Sequence, residues 1–193
     1  MQLHVKSKQV AWCGIIMAIT VILQIFAGII ETSSLFLLAA ASFLTGCVER
    51  KFGIKTAVCF SIGAFLLGFI LAPQKLYCFT FVGFCIYVLV TEFFRGKSLT
   101  DSTFSILKKH GTQYLIKGIL YHFLLIVALF MSFKITGMEI IFSADFMDRL
   151  KNMPVFVIAA VGIFGAEVLW LVFDKAYIFF QERYGIIVCG REN

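Results

Sequence analysis

Six apolar runs separated by short polar stretches constrain this chain more than any other feature. They fall at about residues 10–30, 35–48, 56–72, 76–94, 114–133 and 155–173. A helix needs about 20 residues to cross the hydrocarbon core, with roughly 17–25 as the usual range. Four runs reach or approach that length comfortably. The second has 14 residues and the third 17, so their flanking charges must snorkel or the bilayer must thin locally. No run alternates with the period of a barrel strand, and backbone in lipid must satisfy its own hydrogen bonds. Only two prolines are present to interrupt helices. With 61% hydrophobic and 15% charged residues, the chain has too little charge to cover a soluble surface. The expectation is an all-α polytopic membrane protein, one domain over residues 1–193, built as a bundle of six transmembrane helices.

The first run is 21 residues long and follows Lys6 and Lys8. That exceeds the roughly 7–15 apolar residues of a cleaved leader, and no small-x-small cleavage site follows, so it reads as helix one. Orientation comes from the basic residues. Of the 17 Lys and Arg, 12 fall in the loop set that shares a side with the N-terminus, including Arg50, Lys51 and Lys55 of "CVERKFGIK". The opposite set holds four, Lys75, Lys134, Arg149 and Lys151, and Lys117 lies inside run five. Basic loops stay in the cytoplasm, so both termini are expected there and "CVERKFGIK" is expected to be a cytoplasmic turn. The net charge of +6 is a topology signal and an attraction to anionic lipid, not a nucleic-acid surface, because the basic residues are scattered.

Two connections are longer. Arg95–Gly111 contains a candidate amphipathic helix opened by Asp101 or Ser102, and "FSADFMDRLKNM" reads as a second interfacial helix. The six cysteines form no C-x-x-C pair and none neighbours a histidine. They read as small buried hydrophobes, with no support for a metal site or redox chemistry. No H-E-x-x-H, Gly-x-Ser-x-Gly or phosphate-binding glycine loop occurs. No catalytic residues, cofactor or metal ligands are expected, and the chain is not expected to be an enzyme.

Small residues recur on one side of helix one at Ala11, Gly14 and Ala18, on helix two at Ala39, Ser42 and Gly46, and on helix six at Ala159, Gly162 and Ala166. Such stripes let helices approach closely. They serve either packing within the bundle or docking of a partner membrane protein. Gln24 and Glu31, seven apart on helix one, could join Gln74 and Lys75 in a polar mouth at the outer end, where a small ligand would bind. The alternative is a solvated helix end with one hydrogen-bonded glutamine. Glu167 lies within helix six, roughly 10 Å below the inner boundary. A carboxylate at that depth is costly unless paired, neutral or facing water. Helix five offers Lys117 and His122, with His122 the nearer match in depth, so Glu167 is expected to face the bundle interior and pair there. A structural ion pair, ligand contact and proton coupling all remain open. Glu92, near the inner end of helix four, is expected to snorkel.

The first half of the chain, about Gln9 to Arg95, resembles small six-helix membrane proteins of Firmicutes related to the substrate-binding S components of energy-coupling factor (ECF) transporters. The resemblance is carried by the small stripe on helix one, a Glu closing helix two before a Gly-containing turn, and "PQK" at the outer end of helix three. Tyr77, Phe81, Gly83 and Glu92 of helix four carry it further. The second half is similar only in helix count. The resemblance implies a membrane subunit that captures a vitamin-like small molecule or a metal ion and partners a transmembrane coupling protein and cytoplasmic ATPase subunits. Ala11, Gly14 and Ala18 would then contact the coupling protein, and Tyr77 joins Gln24, Glu31, Gln74, Lys75, His122 and Glu167 as candidate substrate-binding residues. A membrane scaffold or regulatory protein without catalysis is the alternative, and an intramembrane enzyme using Glu167 and His122 a more remote one.

Overall fold

The computed structural model describes residues 2–100, 110–136 and 154–185. They form six α-helices: α1 Gln2–Ile29, α2 Ser34–Phe52, α3 Ile54–Leu71, α4 Lys75–Thr100, α5 His110–Thr136 and α6 Val155–Arg183. A 3-10 turn, Glu31–Ser33, joins α1 to α2. Among the described residues three segments are long and apolar enough to cross a membrane, Ser7–Ile29, Ile54–Leu71 and Lys75–Arg95, and α5 carries the shorter apolar stretch Tyr114–Ala128. The interfacial segments expected around Asp101 and within "FSADFMDRLKNM" lie outside the described residues.

The stretch expected to be a turn is mostly helix. α2 runs on through Glu49, Arg50 and Lys51 to Phe52, and the chain reverses at Gly53 alone. Glu, Arg and Lys are strong helix formers and have no reason to stop a helix. Gly53 adopts φ 83°, a left-handed conformation that costs glycine nothing and strains other residues. The short second run thereby becomes a 19-residue helix. α6 likewise continues ten residues past the apolar run ending at Phe173, because its last three turns carry Asp174, Tyr177 and Gln181 on one inward face.

α2 and α4 form the centre of the bundle. α1 and α3 pack on one side of them, α5 lies against α4, and α6 against α2 and α5. One core cluster, including Leu38, Val48, Phe60 and Phe81, joins α1 to α4; a second, Phe43, Tyr87, Val88, Tyr121, Trp170, Phe173 and Tyr177, ties α2 and α4 to α5 and α6. Phe43 lies 5.3 Å from the Phe173 and Tyr177 rings, and Phe84 stacks on Phe173 at 4.7 Å. Offset and edge contacts of this kind add about 0.5–1.5 kcal/mol per pair beyond area burial. Trp12 packs on Phe52, Arg50 reaches Glu92 and Gln181 reaches α2. The start of α1 and the ends of α2, α4 and α6 therefore share one end of the bundle.

Candidate functional site

The expected candidate residues separate into three places. At the end away from Gly53, Gly28 of α1 lies against Pro73, close enough that a Cβ on it would meet the ring at 2.8 Å. Gln74 and Lys75 follow there and are exposed. The Lys75 ammonium donates to the carbonyls of Phe69, Ile70 and Ala72 at 2.5, 3.3 and 3.1 Å, which caps the C-terminus of α3. Tyr77 is half-buried against the first core cluster. Glu31 sits in the 3-10 turn.

Gln24, deeper on α1, turns into α3 instead of toward that end. It is 1% exposed, and its amide nitrogen donates to the Ala64 carbonyl at 3.3 Å. Gly68 makes room for it: a Cβ there would collide with the Gln24 amide oxygen, which has no hydrogen-bond partner among the described residues.

His122 and Glu167 form the third place, on α5 and α6. His122 Nε2 lies 3.4 Å from Glu167 Oε1, and His122 Nδ1 lies 2.8 Å from the Gly118 carbonyl. The pairing with α5 is thus present, but it is not interior: the two side chains are 36% and 46% exposed. Lys117, the other candidate partner, is taken by Asp174 at 3.2 Å.

The small stripes also divide. On α2, Ser42 and Gly46 are buried, and a Cβ on Gly46 would run into the Tyr177 hydroxyl. That stripe is internal packing. On α1, Ala11, Gly14 and Ala18 are all exposed, and a Cβ at Gly14 would meet nothing within 4 Å. On α6, Gly162 is exposed and equally open.

The densest polar arrangement was not anticipated. Glu92 does not snorkel; its side chain is 3% exposed and clamps three helices. Arg50 of α2 donates through Nε to Oε2 at 2.9 Å and through Nη2 to Oε1 at 2.6 Å. Arg95 donates from Nε to Oε2 at 3.0 Å, and the Tyr177 hydroxyl of α6 to Oε1 at 2.6 Å. Gln181, one turn on, donates to the Phe43 carbonyl at 3.1 Å. Burial and the neighbouring carboxylate push the Tyr177 phenol well above its usual range, so it stays a donor. Beside the clamp, Glu49 is buried and its Oε2 has no partner among the described residues. Burial, reinforced by the Glu92 charge and opposed by Arg95 and Arg50, pushes Glu49 up to about 8.

A second chain of bonds lies further along α6. Trp170 Nε1 donates to the Tyr87 hydroxyl at 3.0 Å, and Tyr87 donates to Asp174 Oδ1 at 2.8 Å, the same oxygen that Lys117 reaches. The available sequence signal was the spacing Trp170, Asp174, Tyr177 and Gln181, which repeats at three and four residues on one helix face.

Three of the five described cysteines, Cys47, Cys78 and Cys85, are buried as expected; Cys13 is half-buried and Cys59 exposed. Among the described residues no group of three His, Cys, Asp or Glu is placed to hold a metal ion. Comparison of the chain with protein families, with curated proteins and with solved structures gives no match.

Proposed function

We propose that this chain is a multi-pass protein of the bacterial plasma membrane whose six helices all cross the bilayer with both termini cytoplasmic. In this reading it is the substrate-binding subunit of an ECF-type uptake transporter for a vitamin-like small molecule or a metal ion. A transmembrane coupling protein docks on α1 at Ala11, Gly14 and Ala18, and cytoplasmic ATPase subunits supply the energy.

The observation that supports docking most is the contrast between two stripes of small residues. The stripe on α2 is filled by α6, whereas the stripe on α1 is open, flanked by the exposed Val10, Ile15 and Ile22. In lipid, where apolar burial gives helices no reason to associate, a flat surface lets two backbones approach closely enough for dispersion to hold them. The orientation rests on the basic residues, since Arg50, Lys51, Lys55 and Arg95 lie at the Gly53 end with the start of α1.

Co-purification of the tagged chain with its membrane partners tests the reading. Gly14→Leu adds a side chain into open space, so the protein is expected to fold normally and to lose the coupling subunit. Retained coupling subunit in a folded Gly14→Leu protein would overturn docking at this stripe. Mass spectrometry of small molecules held by the purified chain separates a binding subunit, which retains one, from a scaffold, which retains none.

A further inference from the structure

The cations gathered at the Gly53 end divide into two groups. Arg50 and Arg95 are committed to Glu92. Lys8, Lys51 and Lys55 are exposed, and none of them pairs with a carboxylate among the described residues. Lys51 is nonetheless held in place. Its ammonium lies 4.4 Å from the centroid of the Trp12 ring and 5.7 Å from that of Phe52, and the two rings meet edge to face at 5.3 Å. A ring face attracts the cation but takes none of its three N–H donors in an ordinary hydrogen bond, so they stay available to an anion. Trp12 is half-buried, and its indole N–H makes no hydrogen bond to a described residue. Lys8 precedes Trp12 by one turn on the same face of α1.

Depth decides which anion these donors meet. The three segments apolar enough to cross a membrane end on this side at Ser7, Ile54 and Arg95. Trp12 stands five residues inside the first of these ends and Lys51 three residues outside the second. That is the headgroup layer, where indole rings and lysine ammonium groups collect in membrane proteins. Beside the lysines, Ile54, Val58 and Ile62 form an exposed apolar strip at four-residue spacing along α3. A charged corner that runs on into an apolar strip matches an amphiphile better than a free anion.

We infer that the corner between Trp12 and Lys51 binds the phosphate of an anionic phospholipid. Lys8 and Lys55 add charge, and an acyl chain lies along Ile54, Val58 and Ile62. This is a defined site, beyond the diffuse attraction that a net charge of +6 exerts. It rests on the membrane reading above and is independent of the transporter. Trp12 lies about a third of a turn round α1 from Ala11, Gly14 and Ala18, so the lipid leaves that stripe free.

The full chain in uncharged detergent is titrated with phosphatidylglycerol, or with phosphatidylcholine of the same acyl chains, and bound lipid is counted by native mass spectrometry. The parent is expected to hold phosphatidylglycerol about tenfold more tightly. Lys51→Gln should weaken phosphatidylglycerol about fivefold, the effect of one lysine near an anionic surface. Lys51→Arg should keep it. Lys175→Gln removes an equal charge from an exposed position on α6, which packs against α2 and α5, and should change little. Inorganic phosphate is expected not to displace the lipid. Equal affinity for the two lipids overturns the site, as does a Lys51→Gln loss no larger than that of Lys175→Gln. Displacement by inorganic phosphate overturns the lipid as occupant. A chain that takes up neither lipid overturns the membrane reading together with the site.

Discussion

Arg50 and Glu92 meet as a two-pronged pair across the interface of α2 and α4, with nitrogen–oxygen distances of 2.9 and 2.6 Å. The planar guanidinium matches a carboxylate in this geometry in a way an ammonium does not. Because Glu92 is nearly inaccessible to solvent, removing it strands Arg50 and weakens the hold on Arg95 and Tyr177 at once. Glu92→Leu is expected to destabilise by about 3–5 kcal/mol, the usual cost of breaking a buried pair on one side. Arg50→Met should cost less, because Arg95 and Tyr177 still satisfy Glu92. Arg50→Lys should recover only part of the loss. Chemical unfolding in mild detergent, followed by helical signal, gives the ordering; a Glu92→Leu protein as stable as the parent would remove the clamp from the account.

Tyr177 reaches Glu92 only because residue 46 has no side chain. A methyl group on Gly46 would occupy the position of the Tyr177 hydroxyl, so Gly46→Ala should push the phenol off the carboxylate. Tyr177→Phe alone loses a hydrogen bond to a charged group, about 1.5–3 kcal/mol. In the double variant the missing hydroxyl removes the nearest obstruction to the new methyl, leaving the Gln181 amide nitrogen at 2.8 Å and the ring edge at 3.1 Å. The combined loss should therefore be clearly smaller than the sum of the two single losses. Strict additivity in thermal unfolding would show that Gly46 does not act through Tyr177.

These two relationships mark what a single sequence discloses. Apolar run length gave six helices, and the one left-handed position among the described residues fell on a glycine that the sequence offers in "KFGIK". Depth along a helix was also readable, which is why Glu167 matched His122 better than Lys117. Facing was not. Glu92 near a helix end looked like a snorkelling residue, yet it is buried because its partner Arg50 lies on another helix, 42 residues away in sequence. Charges at Glu49 to Lys51 looked like a loop because polar residues usually end an apolar run, and helix propensity carried α2 through them instead. The α1 and α2 stripes are alike in composition, and only packing tells the open one from the filled one.

The tight seat of Gln24 under Gly68 predicts an asymmetric pair of substitutions. Gly68→Ala places a methyl on the Gln24 amide oxygen and should destabilise by about 1–3 kcal/mol as an overpacked contact. Gln24→Ala removes the obstruction and should make Gly68→Ala nearly harmless. Thermal melting of the two single variants and the double variant measures this, and an unrelieved Gly68→Ala defect in the double variant would place the clash elsewhere.

Orientation is tested at Lys51, which is exposed in the last turn of α2. A single cysteine there, in a chain stripped of its six native cysteines, should react with an impermeant maleimide only after the cells are opened. Reaction in intact cells would reverse the orientation, and with it the side of the membrane on which Glu49 and the Glu92 clamp lie.

The pair of His122 and Glu167 has a proton assignment that follows from its neighbours. The Gly118 carbonyl can only accept, so His122 Nδ1 carries the hydrogen at 2.8 Å and Nε2 is left facing Glu167 at 3.4 Å. Nε2 and the carboxylate can bond only if one of them holds a further proton, giving either an imidazolium with a carboxylate or a neutral imidazole with a carboxylic acid. Either form has no net charge, which lowers the cost of holding the two groups on a half-exposed face. Removing one partner leaves the other unmatched. The coupling energy between Glu167→Gln and His122→Leu is therefore expected to be favourable and modest, about 0.6–1.7 kcal/mol, the range of polar pairs between membrane helices. Thermal unfolding of the four proteins of the cycle in lipid-like detergent measures it. Purely additive effects would mean that the two groups are neighbours without being partners.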